Sequence, residues 1–377
     1  MRFLHTSDWH LGRLFHGVHL TEDQAYVLEQ LVVLAKEAKV DAVLVAGDIY
    51  DRAVPPAEAV ELLNEVLQKL VLECALPTVL IAGNHDSPER LGFGSALLAR
   101  QGLHVAGPLQ AQQPALILED SAGPVHILSL PYAEPAAVRY ALGEEAADHD
   151  AALRCQIAAA LAKVPQGARK VALAHAFVAG GAASESERPL SVGGSGMVGA
   201  DAFSAFDYTA LGHLHGCQQS GNKVRYSGSL LKYSFQEAAQ TKGVHLVDLA
   251  ADGAVTVETV RLTPRRDVVC WQGSFQELLA RPKCSDYLMV TLTDDAPVLD
   301  AKGRLQQHHP EILHLEYARL QKLKEQQGVQ DHRRLGPEEL FACFFREVAG
   351  REWKREEEAL FAALVEEEYR RQREVGL

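Results

Sequence analysis

Five short segments combine aspartate, asparagine and histidine in a way that could bind metal ions. They are Asp8-Trp9-His10, Gly47-Asp48-Ile49-Tyr50-Asp51, Gly83-Asn84-His85-Asp86, Ala172-Leu173-Ala174-His175 and Gly212-His213-Leu214-His215. They offer carboxylate, amide and imidazole ligands, a set that suits Mn²⁺, Fe²⁺ or Zn²⁺ better than Mg²⁺. The six cysteines form no Cys-x-x-Cys pair, which argues against a disulfide framework and against a thiolate zinc site. The segments therefore predict a metal centre with oxygen and nitrogen ligands.

The spacing within these segments indicates how ligands could converge. In an extended chain, residues i and i+2 point to the same side, so Asp8 and His10 can present two ligands together, as can His213 and His215. A glycine begins three of the segments and allows a sharp turn beside the ligands. Asp48 lies centrally in the set and is the best candidate for a carboxylate that bridges two ions.

Alternating strands and helices must position these segments. The pattern of apolar residues predicts strands at 2–7, 41–47 and 77–83, with helices at 21–39 and 56–74 between them. This βαβαβ order predicts a mostly parallel sheet, and such sheets place their sites where strands end. Further strands are predicted at 115–119, 125–130, 170–176, 208–212, 224–228, 243–250 and 254–262. Their number indicates a second sheet packed on the first.

The sequence predicts three parts of the chain. A first domain covers residues 1–263, and a small α+β domain covers 264–320, because Pro264 interrupts the strand pattern. After a polar linker, residues 337–377 predict two amphipathic helices. Their apolar residues are Leu340, Phe341, Phe344, Phe345 and Val348 in the first helix, and Leu360, Phe361, Leu364, Val365 and Tyr369 in the second. These faces either pack on this chain or bind a partner protein.

Charge and hydropathy limit the function. The net charge of −13 over 377 residues argues against DNA binding by a broad basic surface, because such binding requires phosphate neutralisation. Any DNA binding needs metal ions or a partner subunit. The chain begins with a strand-like segment rather than an apolar leader, and no apolar run has the length of a membrane span. We therefore expect a cytoplasmic protein.

In this order, the five segments resemble the calcineurin-like metallophosphoesterase superfamily. Within it, the chain is similar to the SbcD family of bacterial nuclease subunits over roughly residues 1–320. The closer similarity rests on Thr6-Ser7-Asp8-Trp9-His10-Leu11-Gly12, Gly83-Asn84-His85-Asp86-Ser87, Ala210-Leu211-Gly212-His213-Leu214-His215, Tyr226-Ser227-Gly228-Ser229 and Lys242-Gly243. Cys217 is a departure, since the family often has proline there. It lies outside the ligand set.

The resemblance implies a four-layer αββα catalytic core that binds a pair of Mn²⁺ ions, with Mg²⁺ a weaker possibility. One ion would be held by Asp8, His10, Asp48 and His215, and the other by Asp48, Asn84, His175 and His213. His85 would lie beside the scissile phosphate without binding metal. Asp51 and Asp86 would support the ligands through hydrogen bonds.

The resemblance also implies a function. The expected activity is hydrolysis of DNA phosphodiester bonds, as an exonuclease on duplex ends and an endonuclease on single strands and hairpins, during DNA repair, recombination and replication. The resemblance implies that a separate SbcC-type coiled-coil ATPase supplies ATP hydrolysis, and the lack of a G-x-x-x-x-G-K-[ST] loop in this chain fits that division. A homodimer within a heterotetramer, associated with the nucleoid, is the expected assembly. Two alternatives are a phosphoesterase for small substrates or proteins on the same core, and a non-catalytic scaffold.

Three further segments invite a functional interpretation. Residues 180–199, rich in glycine and serine, predict a long loop that either borders the substrate or is simply solvated. Tyr226–Ser229 is expected to face the substrate rather than form an ordinary turn. His308 and His309, like Arg333 and Arg334, are expected at the solvated surface.

Overall fold

The computed structural model describes residues 1–187, 196–221 and 223–319, together with Phe341, Phe345, Glu357 and Phe361. The strands are β1 (Arg2–Thr6), β2 (Leu14–Phe15), β3 (Val18–His19), β4 (Ala42–Val45), β5 (Thr78–Ile81), β6 (Leu103–Ala106), β7 (Leu116–Asp120), β8 (Gly123–Leu130), β9 (Arg169–His175), β10 (Phe177–Val178), β11 (Met197–Val198), β12 (Tyr208–Gly212), β13 (Gln218–Ser220), β14 (Val224–Tyr226), β15 (Gly243–Leu249), β16 (Val255–Arg261), β17 (Val268–Gly273), β18 (Tyr287–Leu292) and β19 (Ile312–Tyr317). The helices are α1 (Thr21–Glu37), α2 (Ala57–Leu67), α3 (Pro88–Leu91), α4 (Ser95–Leu98), α5 (Pro135–Leu142), α6 (His149–Leu161), α7 (Phe275–Leu279) and α8 (Ala301–Gln306). Among the residues described, no helix is long and apolar enough to span a membrane.

The first large sheet has six strands in the order β16-β15-β1-β4-β5-β6. Strands β1, β4, β5 and β6 run parallel, whereas β15 pairs antiparallel with β1 and with β16. The three strands predicted from the βαβαβ order are therefore confirmed as parallel neighbours. Their carboxyl ends meet at one edge of the sheet, and the turns that follow them carry Asp8, Asp48 and Asn84.

The second large sheet also has six strands, in the order β13-β14-β12-β9-β8-β7. Its central strands β8, β9, β12 and β14 run parallel to one another, and the edge strands β7 and β13 pair antiparallel with β8 and β14. His175 is the last residue of β9 and pairs in register with Gly212, the last residue of β12. His213 and His215 therefore follow the strand next to the one that ends in His175.

Apolar side chains from both sheets form the central core. Successive residues of a strand face opposite sides, so Phe3 of β1 packs between the sheets while Leu4 packs on the outer side. Leu44 of the first sheet and Leu173 of the second share the inner cluster with Phe3. Helices α1 and α2 cover the outer side of the first sheet, and α6 covers that of the second. The predicted four-layer αββα architecture is confirmed.

The chain divides into two compact units. One comprises Met1–Trp271, Leu278–Val290 and Asp300–Leu315, and the other comprises Gln272–Glu277, Thr291–Leu299 and Glu316–Leu377. A smaller sheet has the order β17-β18-β19. The domain division predicted at residue 264 stays a prediction.

Most of the two predicted C-terminal helices lies outside the described residues. In this region, the rings of Phe341 and Phe361 stack with centroids 4.1 Å apart and an interplanar angle of 9°. The two rings come from the two different segments for which helices are predicted. Arg333 and Arg334 also lie outside the described residues.

The surface position expected for His309 is wrong. Its side chain is 0% exposed, its Nε2 hydrogen-bonds to the Leu278 carbonyl at 3.1 Å, and its ring lies edge-on to Trp271. The residue lies just after α8, where its N–H donates to the Leu305 carbonyl at 2.8 Å. The end of the helix therefore directs the ring inward.

Candidate metal centre

Four of the predicted ligands have backbone conformations that non-glycine residues rarely adopt. Asp8, His10, Asp48 and His213 have φ angles of 52°, 45°, 50° and 103°. Such conformations cost on the order of 1–3 kcal/mol each and persist where surrounding contacts impose them, often at functional sites. The N–H groups of Asp8 and His10 donate to the carbonyls of Gly47 and Asp48 at 3.0 and 2.9 Å. The turn after β1 is thereby fixed against the turn after β4.

Two glycines allow these turns to approach one another. A Cβ added at Gly83 would lie 2.2 Å from Asp48 Oδ1, and one added at Gly212 would lie 1.9 Å from the Ala46 carbonyl oxygen. Any side chain at either position would collide with these atoms. The turns after β5 and β12 can therefore pack against the end of β4 only with glycine there.

Asp8, His10 and His215 form the first ligand group, with ligand atoms that lie within 4.8 Å of one another. His10 Nε2 lies 3.0 Å from His215 Nε2 and 3.6 Å from Asp48 Oδ2. All four side chains are buried. Asp8 also accepts hydrogen bonds from the Ser7 hydroxyl at 2.6 Å and from the His213 backbone N–H at 2.9 Å.

The second group joins ligands from both large sheets. Asn84 Oδ1 lies 2.9 Å from His175 Nε2 and 3.1 Å from His213 Nδ1. His175 Nε2 is also 3.5 Å from Asp48 Oδ2, and Asp8, Asp48 and His175 have ligand atoms within 4.8 Å of one another. Asp48 therefore lies close to ligands of both groups.

His215 is held by residues whose place in the site was not predicted from the sequence. Its Nδ1 lies 2.6 Å from Ser186 Oγ, and the Ser186 hydroxyl donates to Glu237 Oε1. The His215 N–H donates to Glu187 Oε1 at 2.8 Å, and its carbonyl accepts from Lys242 Nζ at 2.8 Å. Serine and glutamate in a loop carry no distinctive spacing. Only the resemblance pointed to Lys242.

Burial favours the neutral form of three histidines of the site, His10, His175 and His213. Burial lowers the pKa of His10 and of His213 well below the ordinary value, and neighbouring histidines lower both further. Burial also lowers the pKa of His175. The neutral ring is the form that binds metal. Burial raises the pKa of Asp8 to about 6, and a nearby divalent cation would favour its ionised form.

The arrangement of acceptor atoms fits divalent cations. The Nδ1–H of His175 donates to the Ala46 carbonyl at 2.8 Å, so Nε2 of the neutral ring carries a lone pair. That lone pair faces Asn84 Oδ1, which is itself an acceptor. Electron-pair donors that converge without a hydrogen between them are stabilised by a cation, and carboxylate, amide and imidazole ligands suit Mn²⁺, Fe²⁺ or Zn²⁺.

His85 lies beside the first group. Its Nδ1 is 2.8 Å from the Asp51 carbonyl oxygen, which can only accept, so Nδ1 carries the hydrogen and Nε2 is the basic nitrogen. Its backbone N–H donates to Asp48 Oδ1 at 2.9 Å, and its ring centroid lies 4.6 Å from that of His10. The Asp51 carboxylate accepts from Arg13 at 2.7 Å. His10, Asp51 and His85 form a third group that could hold a metal.

Asp86 connects two of the turns. Its carboxylate accepts the backbone N–H groups of Gly83, Ile49 and Tyr50 at 2.9, 3.1 and 2.9 Å. The turn after β4 and the turn after β5 are thus fixed to each other by one side chain. This is the supporting role expected for Asp86.

Tyr226–Ser229 is buried, so the expectation that this segment faces the substrate is wrong. Tyr226, Ser227 and Ser229 are each 0% exposed. The Tyr226 hydroxyl donates to the Ala176 carbonyl at 2.9 Å, and the Ser229 N–H donates to the His215 carbonyl at 3.1 Å. Through the hydrogen bond from Ser229, the segment supports the turn that carries His215.

The loop predicted over residues 180–199 is described up to residue 187 and from residue 196. Its first part supplies Ser186 and Glu187, which contact the His215 side chain and backbone. This part of the loop is therefore packed against the metal centre. Residues 188–195 lie outside the described part of the chain.

The sequence of this chain is similar to two protein families and to a bacterial nuclease subunit. The sequence profile of the calcineurin-like phosphoesterase family matches residues 1–123, and that of the type 5 capsule protein repressor C-terminal domain matches residues 264–349. The SbcD subunit of the SbcCD nuclease of Staphylococcus saprophyticus is 34% identical over 321 residues, which cover 84% of each chain.

Two solved structures also match over 70% of this chain. The protein TT1561 of Thermus thermophilus has a TM-score of 0.41 at 16% identity, with 99% of its chain covered. A dimetal phosphatase from Danio rerio has a TM-score of 0.40 at 12% identity, with 96% covered.

Proposed function

This chain belongs to the SbcD family of nuclease subunits within the calcineurin-like phosphoesterases, and from that premise we propose how it cleaves DNA. It is a metal-dependent phosphodiester hydrolase and the nuclease subunit of an SbcCD-type complex. We propose exonuclease action on duplex ends and endonuclease action on single strands and hairpins. The observation that carries the proposal is the convergence of two ligand groups around Asp48, at the shared edge of both sheets.

We assign the ligands as follows. Asp8, His10, Asp48 and His215 would hold the first of two Mn²⁺ ions, and Asp48, Asn84, His175 and His213 would hold the second. When bound, such a pair activates water and stabilises charge on the attacking and leaving oxygens. Asp48 lies within 3.6 Å of the His10 imidazole and 3.5 Å of the His175 imidazole, which supports its role as the bridge.

His85 is the proposed catalytic residue. The Asp51 carbonyl holds the hydrogen on Nδ1, so the opposite nitrogen, Nε2, can exchange a proton or a hydrogen bond with the reacting phosphate. Asp48 fixes the backbone of His85 through the N–H to Oδ1 hydrogen bond. We assign Asp51 to this positioning role rather than to metal binding, because its carboxylate already pairs with Arg13.

We propose that a partner subunit supplies the ATP hydrolysis and the positive charge for DNA binding that this sequence lacks. The net charge of −13 and the lack of a G-x-x-x-x-G-K-[ST] loop in the sequence support a division of labour with an SbcC-type coiled-coil ATPase. We propose a nuclease domain over residues 1–263, a DNA-capping domain over 264–320, and ATPase-binding helices over 337–377. The match of a separate family profile to residues 264–349 supports a distinct C-terminal part. We expect the complex in the cytoplasm, at the nucleoid.

The proposed homodimer would use an apolar groove beside α2. The groove has a volume of about 740 Å³ and is lined by exposed apolar side chains, among them Val54, Leu72 and Phe93, which are 63%, 63% and 84% exposed. A contiguous apolar surface of this kind is unfavourable in water unless it is covered. A second copy would cover both grooves at once, because a twofold interface brings the same surface of each chain together.

One experiment separates the proposed function from its alternatives. The purified chain is assayed with Mn²⁺ on bis-p-nitrophenyl phosphate, linear duplex DNA and a DNA hairpin, with EDTA as the negative control. Cleavage of all three substrates is expected. Activity on the small ester alone would favour a phosphoesterase for small substrates, and no activity on any of them would favour a scaffold.

A further inference from the structure

We propose that Ser186 is a positioning residue that, together with Glu237 and Glu187, orients His215 toward the first metal ion. This inference rests on the proposed function and extends the site to a loop segment without any metal ligand. Ser186 and Glu187 precede the part of the loop that lies outside the described residues. Glu237 comes from the turn at Phe235–Ala239.

The hydrogen-bond directions fix the tautomer of His215. The Glu237 carboxylate pairs with the Lys242 ammonium and accepts from the Tyr233 N–H, so it is the acceptor in its contact with the Ser186 hydroxyl. The Ser186 hydroxyl therefore donates to Glu237 Oε1. The same hydroxyl oxygen then accepts from His215 Nδ1–H, 2.6 Å away. In the tautomer with the hydrogen on Nδ1, the lone pair of His215 Nε2 is directed toward His10 Nε2, 3.0 Å away.

The support of His215 has several components. Glu237 is 0% exposed, and its Oε2 accepts from Lys242 Nζ and from the Tyr233 N–H. Because every contact of this carboxylate is internal, it holds the Ser186 hydroxyl in one orientation. Glu187 Oε1 holds the His215 backbone N–H at 2.8 Å. Side chain and backbone of the ligand are therefore fixed from the same loop segment.

The two metal sites differ in how their histidines are oriented. His175 donates through Nδ1–H to the Ala46 carbonyl, at the end of the parallel sheet. His215 instead relies on the side chains of Ser186 and Glu237. Removing one hydroxyl should therefore weaken the first metal site and leave the second intact.

A nucleophilic role for Ser186 is the main alternative for a serine beside a histidine. Ser186 is 7% exposed, and its hydroxyl hydrogen is directed to Glu237 rather than to His215. A nucleophile would need its hydrogen on the histidine side and an open path to the substrate. The geometry therefore favours positioning.

The test measures Mn²⁺ binding to the full chain by titration calorimetry, for the wild type and Ser186→Ala. We expect the variant to bind Mn²⁺ about 10- to 100-fold more weakly at one of two sites, the usual effect of losing a group that orients a ligand. The second site should keep its wild-type affinity. Cleavage of bis-p-nitrophenyl phosphate should recover at high Mn²⁺, because the catalytic groups remain.

Matched variants isolate the hydroxyl. The side chains of threonine and valine have nearly the same shape, but only threonine has a hydroxyl. Ser186→Thr should therefore bind Mn²⁺ tightly at both sites, and Ser186→Val should not. This pair decides the question even if Ser186→Ala is poorly folded. Ser204→Ala removes the hydroxyl of an exposed serine and should bind like the wild type.

The outcomes distinguish a failure of the positioning role of Ser186 from a failure of the proposed function. Unchanged binding by Ser186→Ala, or equal losses in the threonine and valine variants, would overturn the positioning role alone. A wild-type chain that binds no Mn²⁺ would contradict the proposed function, and this inference with it.

Discussion

Two of the proposed ligand side chains also hold the backbone of neighbouring turns. Asp8 accepts the His213 N–H, and Asp48 accepts the His85 N–H, both at 2.9 Å. A substitution at either carboxylate therefore affects metal binding and turn geometry together. Variants that keep the shape of the side chain are needed to separate the two effects.

Asp48→Asn keeps the oxygen that accepts the His85 N–H but removes the negative charge. We expect both Mn²⁺ sites to weaken, because two cations would then face each other with less neutralising charge. Asp48→Ala should show the same loss with additional disturbance of the turn. Calorimetry that finds two tight Mn²⁺ sites in Asp48→Asn would contradict the bridging assignment.

His85→Ala should retain the fold and both metal ions while losing cleavage rate. The expected loss is about 10²- to 10⁴-fold, the usual scale for a proton-transfer group. Bound Mn²⁺, DNA affinity and single-turnover cleavage are measured on one preparation, with His19→Ala, at an exposed histidine, as the control. Loss of metal from His85→Ala would make His85 a ligand, and unchanged cleavage would remove it from the mechanism.

At the scale of elements, the ends of parallel strands decide where the ligands lie. The turns after β1, β4 and β5 converge because these strands are adjacent and parallel. The strands predicted at 2–7, 41–47 and 77–83 agree with β1, β4 and β5, since each of these is a short run of largely buried residues. Helix α6 and the short strands β2, β3 and β6 were not predicted, because short or mixed segments have no clear periodicity.

Gly212→Ala tests the close approach of two strand ends. The new Cβ would lie 1.9 Å from the Ala46 carbonyl oxygen, so the backbone must shift. We expect the free energy of unfolding to fall by about 1–3 kcal/mol, as for other overpacked sites, and Mn²⁺ binding to weaken. Urea denaturation and calorimetry measure the two effects.

Gly216→Ala is the matched control, because its nearest neighbours would be glutamine side-chain atoms at 3.6 Å, an ordinary contact. If both alanine variants behave alike, the close approach at Gly212 is not what determines stability here.

At the scale of the whole molecule, the proposed dimer predicts that charged residues placed in the apolar groove beside α2 separate the two copies. Phe93→Asp with Leu72→Asp should give a monomer in sedimentation equilibrium, because carboxylates in an apolar interface are costly to bury. Cleavage of bis-p-nitrophenyl phosphate should remain, since neither residue contacts a proposed ligand. Tyr140→Asp, at a residue 94% exposed on α5, should stay dimeric. A dimeric groove variant would place the interface elsewhere.

Removal of residues 337–377 tests the proposed docking of the ATPase. We expect the shortened chain to keep Mn²⁺-dependent cleavage of bis-p-nitrophenyl phosphate but to lose stimulation by ATP and the ATPase subunit. Co-purification with that subunit compares the shortened and full chains. Undiminished co-purification would contradict docking through this segment.

The sequence by itself determined the types of the candidate ligands and their order along the chain. It also determined the sheet that presents the first three ligand segments, because apolar periodicity and turn residues are local properties. Asp8, Asp48 and Asn84 could be placed at one edge from the βαβαβ order alone. The family resemblance extended this to the αββα core.

Only the tertiary structure decided which residues support those ligands. His175 and His213 meet Asn84 because two sheets pack face to face, and Ser186 and Glu237 meet at His215 from separate loops. The same packing buries Tyr226–Ser229, for which the sequence predicted a position at the substrate. Such contacts join residues far apart in the chain, where local periodicity carries no information about distance.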